Sequence, residues 1–323
     1  MTKKIAFWVT SLTLFLIGCG GLRLAASPTP SITPTWTTSP LPLPTQAATI
    51  TPIFFPTYTP TISPSETSLP TTTFTPTLTL EPQWYWQGPG EIIVPILLYH
   101  HIGFSLQGEA VYYVSPDTFD QQMNLLYQWG YKTISVELLV RALKDGAQLP
   151  PKPIILTFDD GSETTYTTAL PIMQRYGFTG TSYIVYNYVG IPGYMNVDQI
   201  QGLYAAGWEI GSHGLSHADL TARPEREGDE IVESRRRLQS LLDVPVLSFA
   251  YPFGANDDDS LYFVQHAGYV AAMGLGSETM QRYKNRFYLY RQPVKGIDDL
   301  KLFSLLLPWR GDMDNLPALT IVP

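Results

Sequence analysis

The chain has 323 residues, of which 28 are proline and 20 are tyrosine, while charged residues make up only 15%. This balance suits a protein that faces glycans outside the cytoplasm better than it suits a cytosolic enzyme. The formal net charge is −8, and because nucleic-acid binding depends on clustered lysine and arginine, the composition argues against a nucleic-acid partner.

The N-terminus has the features of an export signal. Lys3 and Lys4 precede an apolar run over residues 5–17, which has the length of a signal-peptide core rather than of a membrane span. The run ends in Leu-Ile-Gly-Cys, which resembles the lipobox of bacterial lipoproteins, and Cys19 is the only cysteine. We therefore predict a signal peptide over 1–18 and a lipid on Cys19, which would anchor an extracytoplasmic protein to the membrane. An ordinary signal peptide or an uncleaved anchor is the alternative.

Residues 19–83 are rich in proline, threonine and serine. Such a composition cannot bury a core, so the sequence predicts a disordered, partly polyproline-like linker that holds a domain away from the membrane. The folded domain is expected over 84–323.

After residue 84, short apolar runs alternate with amphipathic stretches. Strands are predicted over 92–99, 154–158, 181–186, 208–212, 246–251, 269–273 and 288–293. Helices are predicted to begin at Ser115, Asn196, Pro224 and Asp257. The alternation implies right-handed crossovers and a parallel sheet, so the class is α/β. About seven such units favour a distorted (β/α) barrel, with a doubly wound open sheet as the alternative.

Two acidic residues follow the second of these strands. The strand over 154–158 continues into Asp159, Asp160 and Gly161. Adjacent carboxylates at a strand end are costly unless they share a cation or a proton, so one could bind a metal while its neighbour accepts a proton. The alternative is an ordinary Asp-Asp-Gly turn.

Two histidines follow the strand over 208–212. His213 and His217 are four residues apart, and on a helical turn that spacing would point both rings the same way, as in metal-binding histidine pairs. Together with Asp160 they would form a ligand set that leaves a position open for water. Two solvated histidines at a helix start are the alternative.

These segments resemble the first three motifs of the polysaccharide deacetylases, carbohydrate esterase family 4, which contain the NodB-homology domain. The motifs are Thr-Phe-Asp-Asp-Gly at 157–161, Ser-His-Gly-Leu-Ser-His at 212–217 and Tyr-Pro-Phe-Gly at 251–254, and the resemblance extends over roughly residues 91–310. It implies a distorted (β/α) barrel and metal-dependent hydrolysis of N-acetyl groups on an amino-sugar polymer, either an exopolysaccharide or peptidoglycan. It also implies a general base at Asp159, a metal, usually zinc, held by Asp160, His213 and His217, and oxyanion or substrate contacts at Tyr251 and Phe253.

The sequence departs from the family pattern in two places. Ala250 stands where many members have an arginine that orients the catalytic aspartate, and no histidine follows His266 to serve as the C-terminal catalytic acid. However, the Leu-Tyr-His at 98–100 is similar to the branch that contains the biofilm poly-N-acetylglucosamine deacetylases, in which the first strand supplies that histidine. The resemblance implies that His100 is the acid. Because successive strand residues face opposite ways, His100 rather than His101 is expected in the site.

Arg291 is the candidate for the missing orienting group, since it lies near another predicted strand end and could pair with Asp159. Sugar rings could stack on exposed aromatic residues such as Tyr194 or Trp309.

Three other functions stay open: an O-acetyl polysaccharide esterase with the same metal set, a non-catalytic glycan-binding member of the fold, and a stalked surface scaffold.

Overall fold

The structure is a computed structural model that describes residues 83–105 and 110–313. The predicted signal peptide, Cys19 and nearly all of the predicted linker lie outside these residues. Within the described residues, no helix has both the length and the apolar character needed to cross a bilayer.

The strands, in chain order, are β1 (Tyr85–Gln87), β2 (Glu91–Ile93), β3 (Ile96–Tyr99), β4 (His101–Ile102), β5 (Tyr113–Val114), β6 (Lys132–Thr133), β7 (Ala147–Leu149), β8 (Pro153–Phe158), β9 (Thr181–Ile184), β10 (Glu209–Ser212), β11 (Val246–Ala250), β12 (Ala271–Met273), β13 (Met280–Arg282) and β14 (Gln292–Pro293). The α-helices are α1 (Pro116–Gln128), α2 (Val136–Asp145), α3 (Leu170–Arg175), α4 (Val197–Ala205), α5 (Ser234–Leu242), α6 (Asp258–His266) and α7 (Leu300–Leu305). π-Helical turns over Thr165–Ala169 and Asp229–Glu233 lead into α3 and α5.

The main sheet has the strand order β12-β11-β10-β9-β8-β3-β14, with β6 added beside β8. All of its neighbours are parallel, which confirms the predicted α/β class and parallel sheet. Leu289 forms a parallel bridge with Met273 at one edge, and Gln292–Pro293 pairs with β3 at the other. One short segment therefore contacts both edges of the curled sheet, which gives the distorted barrel.

The central strands are buried along their whole length. Every residue of β3 and β8 is buried, as expected for parallel strands that helices cover on the outside and side chains fill on the inside. Local signals set the helix starts: Ser115 accepts from Thr118 N ahead of Pro116, and Asn196 and Asp257 each form a capping box.

Two predicted strands differ from the structure. The strand predicted over 92–99 is divided into β2 and β3, because Pro95 has no N–H to donate and β2 instead pairs antiparallel with β13. The strand predicted over 288–293 is reduced to Gln292–Pro293, because the chain changes partner strands between Leu289 and Gln292. That change of partner brings Arg291 into the barrel interior, where its side chain is 1% exposed.

Candidate active site

Asp159 and Asp160 follow β8 at the carboxyl edge of the barrel. Asp160 has φ 70° and Gly161 has φ 76°, so the chain turns sharply directly after the strand. This left-handed conformation is unfavourable for a residue with a Cβ and is tolerated best by aspartate, asparagine and glycine. The turn leaves the side chain of Asp159 buried and that of Asp160 19% exposed.

Arg291 makes two parallel hydrogen bonds to Asp159. Its Nη1 donates to Oδ1 at 2.6 Å and its Nη2 donates to Oδ2 at 2.8 Å, while the same guanidinium also donates to Thr157 Oγ1 and to the Gly274 carbonyl. Burial alone would raise the pKa of Asp159, but the charge and hydrogen bonds of Arg291, together with His213, lower it to about 2. The carboxylate is therefore ionised and fixed in orientation at neutral pH.

His213 follows β10, and its orientation is set by the main chain. Its Nδ1 lies 2.7 Å from the Ala250 carbonyl oxygen, so Nδ1 carries the proton and Nε2 keeps its lone pair for the site. Nε2 lies 3.6 Å from Asp160 Oδ1 and 3.6 Å from Asp159 Oδ2. Burial lowers the pKa of His213 to about 4, which keeps the ring neutral.

His217 reaches the same point from a loop. The predicted helical turn over 213–217 is wrong: these residues form no helix, Gly214 has φ 86° and His217 has φ 60°. The loop still brings His217 Nε2 to 3.3 Å from Asp160 Oδ1. Burial lowers the pKa of this ring as well. The convergence therefore results from an irregular loop and not from helical spacing.

The three residues Asp160, His213 and His217 can hold a divalent cation. One ligand atom from each lies within 4.8 Å of the others, and among the described residues this is the only such group. Asp160 Oδ1 is buried and has no hydrogen-bond partner within the described part of the chain. Burial and the neighbouring charge of Asp159 raise the pKa of Asp160 to about 6. An orphaned carboxylate oxygen facing two neutral imidazole nitrogens fits a metal of the zinc type.

The two neighbouring histidines that follow β3 have different surroundings. His101 Nδ1 lies 2.9 Å from Ser162 Oγ, and its ring stacks on Tyr113 at 4.4 Å between centroids. Burial, with a smaller contribution from His100, lowers the pKa of His101 to about 4. His100 lies in the same cavity as both aspartates, with its ring edge against Tyr112. His101 thus joins its own segment to the loop of Ser162, and His100 lines the cavity that contains both aspartates.

The remaining predicted contacts fall in different places. Tyr251 lines the cavity but is buried: its hydroxyl donates to the Phe287 carbonyl and its N–H donates to the Met273 carbonyl, so neither donor is free for a substrate. Phe253 is 63% exposed, has φ 59° and packs its ring on His217 at the cavity mouth. Tyr194 lines the cavity beside Tyr188. Trp309 was wrongly expected there, since it packs against Tyr131 on the α1 side of the barrel.

These residues surround a cavity of about 600 Å³. Sequence reasoning missed several of its lining residues, Tyr188 and Lys295 among them. Both lie outside the recognisable motifs, and no local pattern distinguishes them from other surface residues.

A parallel barrel that carries a fixed carboxylate and a candidate histidine–aspartate metal site at its carboxyl edge is the arrangement expected of a hydrolase. Residues 146–272 match the model of the polysaccharide deacetylase family. Over those residues the chain is similar to the polysaccharide deacetylases.

Relatives and solved structures show the same similarity. The poly-beta-1,6-N-acetyl-D-glucosamine N-deacetylase of Staphylococcus aureus is 26% identical over 215 residues, which cover 62% of this chain and 73% of the relative. The deacetylase PplD of Streptococcus pyogenes, solved with acetate, superposes with a TM-score of 0.61 and 25% identity, over 67% of this chain and 98% of that one. A polysaccharide deacetylase from Bacillus cereus gives a TM-score of 0.60 and 26% identity, over 67% of this chain and 69% of that one.

Proposed function

We propose that the protein is a zinc-dependent deacetylase that removes N-acetyl groups from a polymer containing N-acetylglucosamine. The observation that carries the proposal is the adjacency of two unlike carboxylates. Asp159 is fixed by Arg291, and Asp160 has an orphaned oxygen facing His213 and His217. One carboxylate is therefore available to accept a proton, and the other is available to hold a cation.

The relatives support the substrate class. The Staphylococcus aureus relative is named for N-deacetylation of poly-beta-1,6-N-acetyl-D-glucosamine, and PplD is a deacetylase that was solved with acetate. A cavity of about 600 Å³ has room for a sugar ring and its acetyl group, and Tyr188 and Tyr194 offer aromatic faces for the ring.

A cation bound by Asp160, His213 and His217 would polarise the acetyl carbonyl and acidify a water molecule. Asp159 then accepts a proton from the attacking water, and Arg291 keeps that carboxylate ionised and aimed until the transfer. Attack of the water oxygen forms the new C–O bond and places negative charge on the acetyl oxygen. The C–N bond then breaks as His100 donates a proton to the departing sugar nitrogen. The products are acetate and a free amine. A main-chain N–H near Phe253 would help to hold the developing oxyanion.

The test is acetate release from defined N-acetylglucosamine oligomers, peptidoglycan and O-acetyl xylan, by the wild type and Asp159→Asn, with and without chelator. We expect release from the N-acetylated oligomers, its loss in chelator with recovery on adding Zn²⁺, and a decrease of about 10²- to 10⁴-fold in Asp159→Asn. Release from xylan alone would instead indicate an esterase. Bound metal without any acetate release would indicate a glycan-binding protein.

We also propose that Cys19 is lipidated and that residues 19–83 hold the domain away from the membrane surface. The support is the lipobox-like sequence and the linker composition. Labelling cells with a fatty-acid analogue tests this: the wild type should be labelled and partition with membranes, and Cys19→Ala should do neither.

A further inference from the structure

The loop that carries His217 has little regular structure to hold it. His213 is fixed at the end of β10 by its N–H to the Ile184 carbonyl and by its ring contact with Ala250. The chain then passes through two left-handed residues, Gly214 and His217. Left-handed backbone at a residue with a Cβ persists only where the surroundings enforce it. A separate group must therefore determine where His217 lies relative to His213.

Glu230 is that group. Its Oε2 accepts from Leu215 N at 2.7 Å and from Ser216 N at 2.8 Å, and its Oε1 accepts from Ser216 Oγ at 2.6 Å and from Arg226 Nη2 at 2.8 Å. The Glu230 side chain is completely buried. It lies in the π-helical turn Asp229–Glu233, so it reaches the loop from an element that contributes no metal ligand.

The loop is held from the opposite side as well. The Gly214 and Leu215 carbonyl oxygens accept from Tyr186 N and Asn187 N. The N–H groups of Leu215 and Ser216 point instead to Glu230, and a buried N–H without an acceptor would be costly. The Glu230 carboxylate therefore supplies the hydrogen-bond acceptor that a neighbouring strand or helix would supply in regular structure. Its negative charge strengthens the hydrogen bonds from Leu215 N and Ser216 N.

We propose that Glu230 is a positioning residue for the candidate metal site, acting through Leu215 and Ser216 to place His217. This inference rests on the proposed function, because it assumes that a cation binds at Asp160, His213 and His217. The side chain itself touches neither the ligand atoms nor a substrate, so its effect is expected in cation affinity and in the coordination geometry.

The test compares Glu230→Gln with Glu233→Gln in the folded domain with its linker. The amide has one acceptor oxygen, so it cannot satisfy all four donors, and its NH₂ group would face the Arg226 guanidinium. Glu233 lies in the same turn, but its carboxylate pairs only with Arg236 and Arg237 within the described residues. Glu233→Gln makes the same change from carboxylate to amide at a side chain that does not bind the loop, so it serves as the matched control.

The readouts are the affinity for Zn²⁺ by competition titration, the visible spectrum of bound Co²⁺, and thermal unfolding in chelator. We expect Glu230→Gln to lose about 10- to 100-fold in Zn²⁺ affinity and to change the Co²⁺ spectrum, with Glu233→Gln matching the wild type. If Glu230→Gln lowers only the unfolding temperature while its Zn²⁺ affinity and Co²⁺ spectrum stay unchanged, the residue is merely structural and the inference is wrong.

Ser216→Ala tests the same inference if Glu230→Gln does not fold. It removes one hydrogen bond to Glu230 and leaves the main-chain bonds in place, so a smaller loss of Zn²⁺ affinity, about threefold, is expected. An unchanged affinity in this variant would count against the inference. If the wild type itself binds neither Zn²⁺ nor Co²⁺, the proposed function fails, and the positioning role fails with it.

Discussion

Arg291 and Asp159 form a bidentate ion pair in the barrel interior although they lie 132 residues apart in the chain. The side chain of Arg291 is 1% exposed and that of Asp159 is 3% exposed, so the pair is shielded from solvent. The resemblance to the polysaccharide deacetylases implies an arginine beside the third motif in many members. This chain has Ala250 at that position. The guanidinium reaches the aspartate from the segment that bridges the two edges of the sheet, and the carboxylate is oriented without an arginine at position 250.

Replacing Arg291 with methionine should reduce both stability and activity. Breaking a buried pair leaves an uncompensated charge, which typically costs about 3–5 kcal/mol of unfolding free energy. Without the guanidinium, the pKa of Asp159 should rise, so the acid limb of the kcat/KM profile should move to higher pH. Denaturant unfolding and a pH–rate profile measure the two effects. Retained activity with an unchanged profile would exclude the orienting role.

Replacing His100 with asparagine should slow amide hydrolysis by about 10²- to 10⁴-fold and leave Zn²⁺ affinity unchanged. The reason is that a sugar nitrogen leaves poorly unless it is protonated, whereas a nitrophenolate leaves without a proton. Turnover of 4-nitrophenyl acetate should therefore fall far less than acetate release from N-acetylglucosamine oligomers. Equal losses on the two substrates would argue that His100 does not act as the acid.

The unfolding free energy of the metal-free protein should decrease as the pH falls, and His101 should account for part of that decrease. Burial lowers the pKa of His101 from its ordinary value of 6.5 to about 4 in the folded protein, so the unfolded chain takes up the proton first. The associated stability is present above about pH 6.5 and is lost as the pH falls toward 4. Unfolding free energies measured in chelator should depend less steeply on pH over this window in His101→Gln.

The control for that experiment is His266→Gln, which changes an exposed histidine at the end of α6. It separates the removal of an exposed histidine from the removal of the partly buried His101. A His101→Gln slope equal to that of the wild type would contradict the assignment.

Tyr194 and Trp309 should differ in their effect on substrate binding. Tyr194 lines the cavity, so Tyr194→Ala is expected to raise KM for oligomers by roughly 3- to 10-fold, the value of one aromatic stacking contact. Trp309 packs against Tyr131 outside the cavity, so Trp309→Ala should lower the unfolding temperature and leave KM unchanged. Steady-state kinetics on a single defined oligomer, with thermal unfolding of both variants, measures the contrast.

Local patterns in the sequence were sufficient for the class of fold and for the positions of the strand-end residues. Alternating apolar runs and helix caps predicted an α/β fold with a parallel sheet, and the structure confirms the fold class and the sheet. Neighbouring parallel strands end at the same edge of that sheet. Asp159, Asp160 and His213 each follow a strand directly, so their approach to one another could be expected from the strand order of a barrel.

The tertiary structure alone decided the rest. His217 reaches Asp160 through a left-handed loop held by Glu230, where the sequence spacing had indicated a helical turn. Trp309, an aromatic residue like Tyr194 in the sequence, lies outside the cavity because it packs against Tyr131. Periodicity and capping are properties of neighbouring residues, whereas these placements depend on contacts between distant segments that exist only after the barrel has formed.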